Sequence, residues 1–99
     1  MNGQVVLVTI VAESVLEERL VEDLEALGAR GWTIVEARGR GARDRKVSDI
    51  AGGSIRVETV VGQSVADAIL ERLAADYFPT YAVVAWTSPV LVVRTDHYT

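Results

Sequence analysis

The segment Val5–Val11 constrains the fold most strongly, because its seven residues are β-branched or aliphatic and only Thr9 is polar. Such a run is typical of a buried strand. It is far too short to cross a bilayer, which needs about 20 apolar residues, and no positive charge precedes it. The segment therefore predicts a buried strand rather than a signal peptide or membrane anchor, and we expect a cytoplasmic protein.

The length and composition favour one globular domain over residues 1–99. A chain of 99 residues has little room for a second core. Its residues are 49% hydrophobic and 24% charged, which is typical of a folded domain. It contains no cysteine, so a disulfide framework and a cysteine zinc site are both excluded.

Two helices are indicated by apolar stripes at helical spacing, with the acidic residues of the first helix turned mostly outward. Gly28 is expected to end the first helix, and Pro79 is expected to break the second. Ser14 and Ser64 each precede a carboxylate by three residues, which is the spacing of a capping box. The stripes consist of Leu16, Leu20, Leu24 and Leu27 in the first helix and of Val65, Ile69, Leu70 and Leu73 in the second.

Three further strands complete the pattern. They are expected at Trp32–Arg38, at Ser54–Val61, and at the end of the chain in two parts, Tyr81–Trp86 and Val90–Arg94, interrupted at Ser88-Pro89. The resulting order, βαββαβ, predicts the α+β class and a ferredoxin-like fold, in which an antiparallel sheet carries two helices on one face. Residues 39–53 are rich in glycine and charge, and they are expected to form a long loop.

The strands are apolar on both faces, although two helices can cover only one. Val5, Leu7 and Val11 alternate with Val6, Val8 and Ile10. A sheet with one face in water should instead alternate apolar and polar residues. We therefore expect a second copy of the chain to cover the other face.

The charge is unevenly distributed. The formal net charge is −4, yet five of the ten basic residues lie between Arg38 and Lys46. Nucleic-acid binding is disfavoured because it needs a basic face rather than a basic loop on an acidic body. The loop is better suited to a small anion. Gly39 and Gly41 allow a sharp turn that presents backbone N–H groups to an anion, and arginine side chains can donate hydrogen bonds to phosphate oxygens. The spacing matches neither a Walker loop nor a Rossmann fingerprint, so a solvated loop remains the alternative.

Residues for catalysis or metal binding are scarce. The only histidine, His97, lies close to the C-terminus, and nucleophilic catalysis would have to recruit it there. His97 and Asp96 supply two adjacent metal ligands without a third. We therefore expect neither an enzyme nor a metal site.

The segment Gly28–Glu36, with the sequence GARGWTIVE, runs into Gly39–Arg43, with the sequence GRGAR. It resembles the PII signal-transduction superfamily, most closely its SbtB-like and carboxysome-associated PII-like branch. In that branch a G-x-x-G-aromatic-T-V-V strand runs into a G-K-G-S-R loop. The resemblance implies a homotrimer that binds nucleotides in clefts between subunits, at the base of a loop called the T-loop, which corresponds here to residues 39–53.

The resemblance also implies roles for individual residues. Thr33 would lie near the adenine, and Arg94 would contact a phosphate from the neighbouring subunit. In the loop, Arg43 matches the family's arginine, and Lys46 falls where the SbtB-like branch has a second one. The turn that binds the phosphates would be formed by Gly39, Arg40, Gly41 and Ala42.

Two departures from the PII pattern bear on the ligand. Val92 stands where PII proteins proper have a further arginine, and Pro79-Thr80-Tyr81-Ala82 replaces a G-D-G-K turn. Both changes remove donors for the outermost phosphate, so AMP or ADP is favoured over ATP. The branch further implies a role in inorganic-carbon metabolism. Bicarbonate is a candidate second ligand there, and a bicarbonate transporter or carboxysome-related protein is a candidate partner.

Three other interpretations remain. A metal-binding trimer resembling the CutA proteins would share the topology, but the basic loop and absent cysteines argue against it. An enzyme of the ferredoxin-like α/β-barrel dimers would need a base such as histidine within the domain. An RNA-binding module is disfavoured by the acidic balance of charge.

Overall fold

The computed structural model describes residues 3–39 and 53–94 of the chain. Their elements follow one another in the predicted order βαββαβ. A short 3-10 turn, Ser14–Leu16, lies between the first strand and the first helix. The elements are β1 Gly3–Glu13, α1 Glu17–Leu27, β2 Thr33–Ala37, β3 Ser54–Val61, α2 Gln63–Asp76 and β4 Val84–Val92.

The four strands form one sheet in the order β2-β3-β1-β4. All three pairings are antiparallel. This order places β2 and β4 at the two edges of the sheet. β2 and β3, which flank residues 39–53, therefore lie on one side, and the last strand lies on the other side. The predicted ferredoxin-like fold is confirmed.

Both helices pack on one side of the sheet, which we call the helix face. On β1 this face carries Val6, Val8, Ile10 and Ala12, all of them buried. They share one core with Leu20 and Leu24 of α1 and with Ile69 and Leu73 of α2. The stripes predicted from the sequence therefore form the core.

The opposite side, which we call the open face, carries the alternate residues of each strand. Val5, Leu7, Thr9 and Val11 of β1 lie on it, in register with Val90, Ser88, Trp86 and Val84 of β4. Neither helix covers this face, and Trp86 and Val84 remain 50% and 53% exposed. As the sequence predicted, both faces of the sheet carry apolar residues.

Gly28 ends α1 as predicted. Its φ of 108° is in the left-handed region, which glycine adopts without the steric cost that a side chain would add. The N–H of Ala29 then donates to the carbonyl oxygen of Leu24 at 2.9 Å. This bond satisfies one of the last carbonyls of the helix and turns the chain toward β2.

The two predicted capping boxes are wrong, since neither helix has a side-chain cap hydrogen bond. The N–H of Ser14 donates to the carbonyl oxygen of Gly53 at 3.0 Å, so it is not available to a glutamate side chain, and α1 begins three residues later. The second helix begins at Gln63, one residue before Ser64, and the carboxylate of Asp67 accepts from the Gln63 side chain at 2.9 Å.

The predicted interruption of the last strand is also wrong. β4 runs without a break through Ser88 and Pro89, in register with Leu7 and Val6 of β1. Proline lacks the N–H that an interior strand would need, but β4 is an edge strand with a neighbour on one side only. Tyr81, predicted as part of the strand, lies instead in the turn before it.

Candidate functional site

Thr33 begins β2 and is exposed on the open face of the sheet. The register aligns it with Glu58 on β3, which is half-buried. Thr9 and Trp86 continue the same row across β1 and β4. A hydroxyl, a carboxylate and an indole are thus placed across one face of the sheet, beginning at its β2 edge.

The ends of the loop that joins β2 to β3 are held close together. The Ser54 hydroxyl donates to the carbonyl oxygen of Ala37 at 2.5 Å, across the last residue pair of the two strands. Gly53, with a φ of 79°, turns the chain into β3. Its carbonyl oxygen accepts the N–H of Ser14, which links the base of the loop to the segment that leads into α1.

Gly39 lies two residues beyond β2 and is exposed. Apart from its chain neighbours, no heavy atom of the described residues lies within 4 Å of the position that a Cβ would occupy there. The other predicted loop residues lie outside the described part of the chain. They are Arg40, Gly41, Ala42, Arg43 and Lys46.

Arg94 lies at the opposite edge and the opposite end of the sheet. Val92 of β4 is in register with Gly3, whereas Ala37 at the end of β2 aligns through Ser54 with Glu13. Gly3 and Glu13 are the two ends of β1, a separation of about 33 Å at the usual rise per residue. Three strand spacings, about 14 Å, add to it laterally. Thr33 aligns through Glu58 with Thr9, six residues from Gly3, so it lies about 20 Å along the sheet from the level of Val92. One subunit therefore brings Thr33 and Gly39 to one edge of the sheet but does not bring Arg94 to them.

The turn between α2 and β4, where the resemblance to PII proteins places a glycine-rich turn, packs against its own subunit. The Arg19 guanidinium lies 4.4 Å from the ring centroid of Tyr77 and 5.7 Å from that of Tyr81. It also donates to the Tyr81 hydroxyl at 3.4 Å and to the carbonyl oxygen of Asp76 at 3.3 Å. The N–H of Ala82 donates to the Glu13 carboxylate at 3.2 Å. Tyr81 thus adds no positive charge to the turn and is held by contacts within its own subunit.

Tyr77 is fully buried, and its hydroxyl donates to the Asp23 carboxylate at 2.5 Å. Arg72 forms an ion pair with the other oxygen of that carboxylate at 2.7 Å. The pKa of Tyr77 lies above its ordinary value mainly because the side chain is buried, and the hydrogen bond to Asp23 raises it further. This cluster joins α1 to the end of α2. The acidic residues of α1 were expected to turn mostly outward, and Asp23 is the exception.

Sequence reasoning missed Tyr77 and Glu58. Tyr77 follows Ile69 and Leu73 at four-residue spacing, so the apolar stripe of the second helix already pointed to it. Glu58 shares a face with Thr33 only because of the strand register, which the sequence alone does not give.

Two negative findings apply to residues 3–39 and 53–94. No group of three histidine, cysteine or carboxylate side chains is arranged to hold a metal ion there. No helix in this part of the chain is long and apolar enough to cross a membrane.

Solved structures of known proteins share this fold over the full length. A PII-like signalling protein from Thermus thermophilus is 49% identical and has a TM-score of 0.85, with 99% of this chain and 98% of that chain covered. CPII, a nitrogen regulatory PII-like protein from Thiomonas intermedia, was solved with ADP, AMP and bicarbonate. It is 18% identical with a TM-score of 0.88, and 99% of this chain and 96% of that chain are covered.

Comparison with curated proteins gave no significant match. The family model described as nitrogen regulatory protein P-II matches residues 5–97. That match spans every strand and helix described above except the first two residues of β1. Together with the 49% identity to the Thermus protein, it shows that this chain belongs to the P-II family of signalling proteins.

Proposed function

We propose that this protein is a regulatory homotrimer that binds an adenine nucleotide in the clefts between its subunits and signals through the T-loop, residues 39–53. The observation that carries the proposal is the separation of the residues that the family resemblance assigns to the ligand. Thr33 and Gly39 lie on the β2 side of the sheet, whereas Arg94 follows β4 at the far end of the other edge. A single nucleotide can contact both groups only if they come from different subunits.

The open face of the sheet supports assembly. Trp86 and Val84 are half-exposed there, on a face that neither helix covers. Large apolar side chains on an uncovered sheet face are typical of protein interfaces. A trimer would bury them between subunits and would bring the β4 edge of one copy toward the β2 edge of the next.

The ligand we propose is AMP or ADP rather than ATP. CPII, which shares the fold, was solved with ADP, AMP and bicarbonate. In this chain Tyr81 lies against Arg19 and Tyr77, in the turn where PII proteins proper have G-D-G-K. Val92 replaces a further arginine. Fewer cationic donors remain for a third phosphate, and each charge-assisted hydrogen bond contributes about 1.5–3 kcal/mol.

The finer biological role that we propose is control of inorganic-carbon metabolism, with bicarbonate as a second ligand. The resemblance of the loop to the SbtB-like and carboxysome-associated branch supports this role, as does the bicarbonate bound to CPII. The partner would be a bicarbonate transporter or a carboxysome-related protein that recognises the T-loop. The protein would act by binding and signalling rather than as an enzyme.

Thermal unfolding with separate additions of AMP, ADP, ATP, bicarbonate and divalent metal ions tests the ligand class. A ligand that binds only the folded protein raises Tm. We expect AMP and ADP to raise it more than ATP. A shift with metal ions alone would instead favour a CutA-like metal-binding trimer, and no shift with any nucleotide would contradict the proposal.

Calorimetric titration with ADP tests the assignment of the loop residues. We expect Arg43→Ala to weaken binding by about 1.5–3 kcal/mol, the usual scale for a charged hydrogen bond. Arg45→Ala, a matched loss of charge two residues away, should bind like the parent. The reverse result would show that the phosphate ligand in the loop is wrongly assigned.

A further inference from the structure

Two hydroxyl groups of β3 hold the edge strand β2 at its two ends. At the far end, the Ser54 hydroxyl donates to the carbonyl oxygen of Ala37. At the near end, the Thr59 hydroxyl donates to the carbonyl oxygen of Gly31 at 2.6 Å, two residues before β2 begins at Thr33. Within the subunit β2 pairs with β3 alone. These bonds therefore add to the strand pairing at the two points where the edge strand meets irregular chain.

Thr59 lies on the helix face, where its hydroxyl is surrounded by aliphatic side chains. It is 2% exposed and in register with Val8. The other residues of β3 on this face are aliphatic and at most 3% exposed, namely Ile55, Val57 and Val61. Burying a hydroxyl costs free energy unless it is hydrogen-bonded, and valine would fill the same space without that cost. The bond to Gly31 is therefore what the hydroxyl contributes at this position.

The chain just before β2 is where this bond acts. Ala29 and Trp32 pack against the core, but Gly31 between them has no side chain to pack. Apart from its chain neighbours, no heavy atom of the described residues lies within 4 Å of the position that a Cβ would occupy at Gly31. The pairing of β2 with β3 begins only at Thr33. The bond from Thr59 therefore orients the backbone that leads into Thr33.

We infer that Thr59 is a positioning residue for the nucleotide site, which fixes the start of β2 so that Thr33 is held in the geometry that the ligand needs. This inference rests on the proposed function, in which Thr33 lies near the adenine. The Thr59 side chain is buried on the opposite face of the sheet from Thr33, so it acts on the ligand through Gly31. A strand that is already held does not have to be ordered when the ligand binds, and this strengthens binding.

Calorimetric titration of Thr59→Val with ADP tests the inference. Valine keeps the β-branched shape that strands favour but cannot donate to Gly31. We expect about fivefold weaker binding, the scale that corresponds to one ordinary hydrogen bond. Thr59→Ser keeps the donor and should restore parental affinity. The matched control is Thr87→Val, because Thr87 flanks Val8 on the other side of β1 but is exposed, and it should bind like the parent.

Fluorine NMR of the full chain labelled with 5-fluorotryptophan tests the same bond without nucleotide. The chain has two tryptophans, Trp32 next to Gly31 and Trp86 on β4, and Trp32→Phe identifies their resonances. We expect Thr59→Val to shift or broaden the Trp32 resonance and to leave the Trp86 resonance as in the parent. Thr59→Ser should give the parental spectrum.

Circular dichroism would establish that each variant is folded. A folded Thr59→Val with parental ADP affinity would overturn the inference, and so would a loss of affinity that Thr59→Ser does not restore. If the parent itself binds no ADP, the proposed function fails, and the Trp32 resonance still decides whether Thr59 holds the start of β2. A change confined to that resonance would support the holding bond, and an unchanged spectrum would overturn it.

Discussion

The two faces of the sheet differ in what covers their apolar residues. On the helix face, Val8, Ile10 and Val57 are fully buried by helices of the same chain. On the open face, Trp86 and Val84 keep about half of their surface exposed. The chain therefore closes one core by itself and leaves a second apolar surface for other copies. The difference separates the residues that stabilise the subunit from those that should stabilise the assembly and its ligand site.

The largest expected effect is a loss of stability in the helix-face core. Leu24→Ala removes a side chain that is 1% exposed and packed between α1 and the sheet. It should lower the free energy of unfolding by about 2–5 kcal/mol, because it combines lost burial with a cavity. Denaturant unfolding measures the change. Val84→Ala is the control on the open face, and an equal loss there would break the distinction between the two faces.

Trp86→Ala should have the converse effect. The side chain is half-exposed in the subunit, and a buried tryptophan at an interface contributes about 2–4 kcal/mol to assembly. Sedimentation equilibrium should show a weakened trimer, with little change in subunit folding. Phe78→Ala removes a 43% exposed aromatic from the turn after α2 and serves as the control. A Trp86→Ala trimer as stable as the parent would show that the open face is not the interface.

Tyr77→Phe tests the polar cluster behind the helix face. It removes the donor to Asp23 and should cost about 1.5–3 kcal/mol, the scale for a hydrogen bond to a charged group. Tyr81→Phe is the control, because the Tyr81 hydroxyl makes only a longer contact with Arg19. Equal losses in the two variants would show that the Asp23 bond contributes nothing specific.

The same cluster predicts a dependence on alkaline pH. The pKa of Tyr77 is raised in the folded state, so the unfolded chain ionises first, near the ordinary tyrosine value of about 10. This stabilisation is fully present below that pH and is lost as pH rises above it, because the unfolded state then binds fewer protons. Urea unfolding should show a steeper loss of stability above about pH 10 in the parent than in Tyr77→Phe. Parallel pH profiles would contradict the assignment.

The smallest effect is expected at the base of the loop. Gly53 has a φ of 79°, so Gly53→Ala should destabilise the subunit by about 1–2 kcal/mol. Gly62→Ala is the control, since Gly62 has a φ of −70° and no heavy atom of residues 3–39 and 53–94, beyond its chain neighbours, lies within 4 Å of its Cβ position. Thermal unfolding compares the two. Equal Tm values would show that the left-handed turn is not required there.

The fold could be predicted because hydrophobic periodicity is local. The leucine stripe of α1 and the apolar run of β1 each indicated an element without knowledge of its partners. The errors arose where contacts between distant parts of the chain determine the local structure. Pro89 is tolerated because β4 is an edge strand. Ser14 does not form a capping box because a 3-10 turn separates it from α1 and its N–H is already bonded to Gly53.

The candidate site was less predictable. The glycines and arginines of the loop suggested an anion, but only the resemblance to PII proteins assigned Thr33 and Arg94 to one ligand. Their separation within a subunit depends on strand order and register, which link residues far apart in the sequence. Glu58 was overlooked beside Thr33 for the same reason.

Mixed trimers of Arg43→Ala and Arg94→Ala subunits, isolated by two affinity tags, test the central claim that the nucleotide site is shared between copies. Each variant alone should bind ADP weakly at every cleft. In a mixed trimer of a cyclic assembly, about one cleft in three pairs an intact Arg43 with an intact Arg94 from the neighbouring subunit. Calorimetric titration should then recover parental ADP affinity at about one third of the sites. Mixed trimers that bind ADP no better than the two variants would contradict a site built from two subunits.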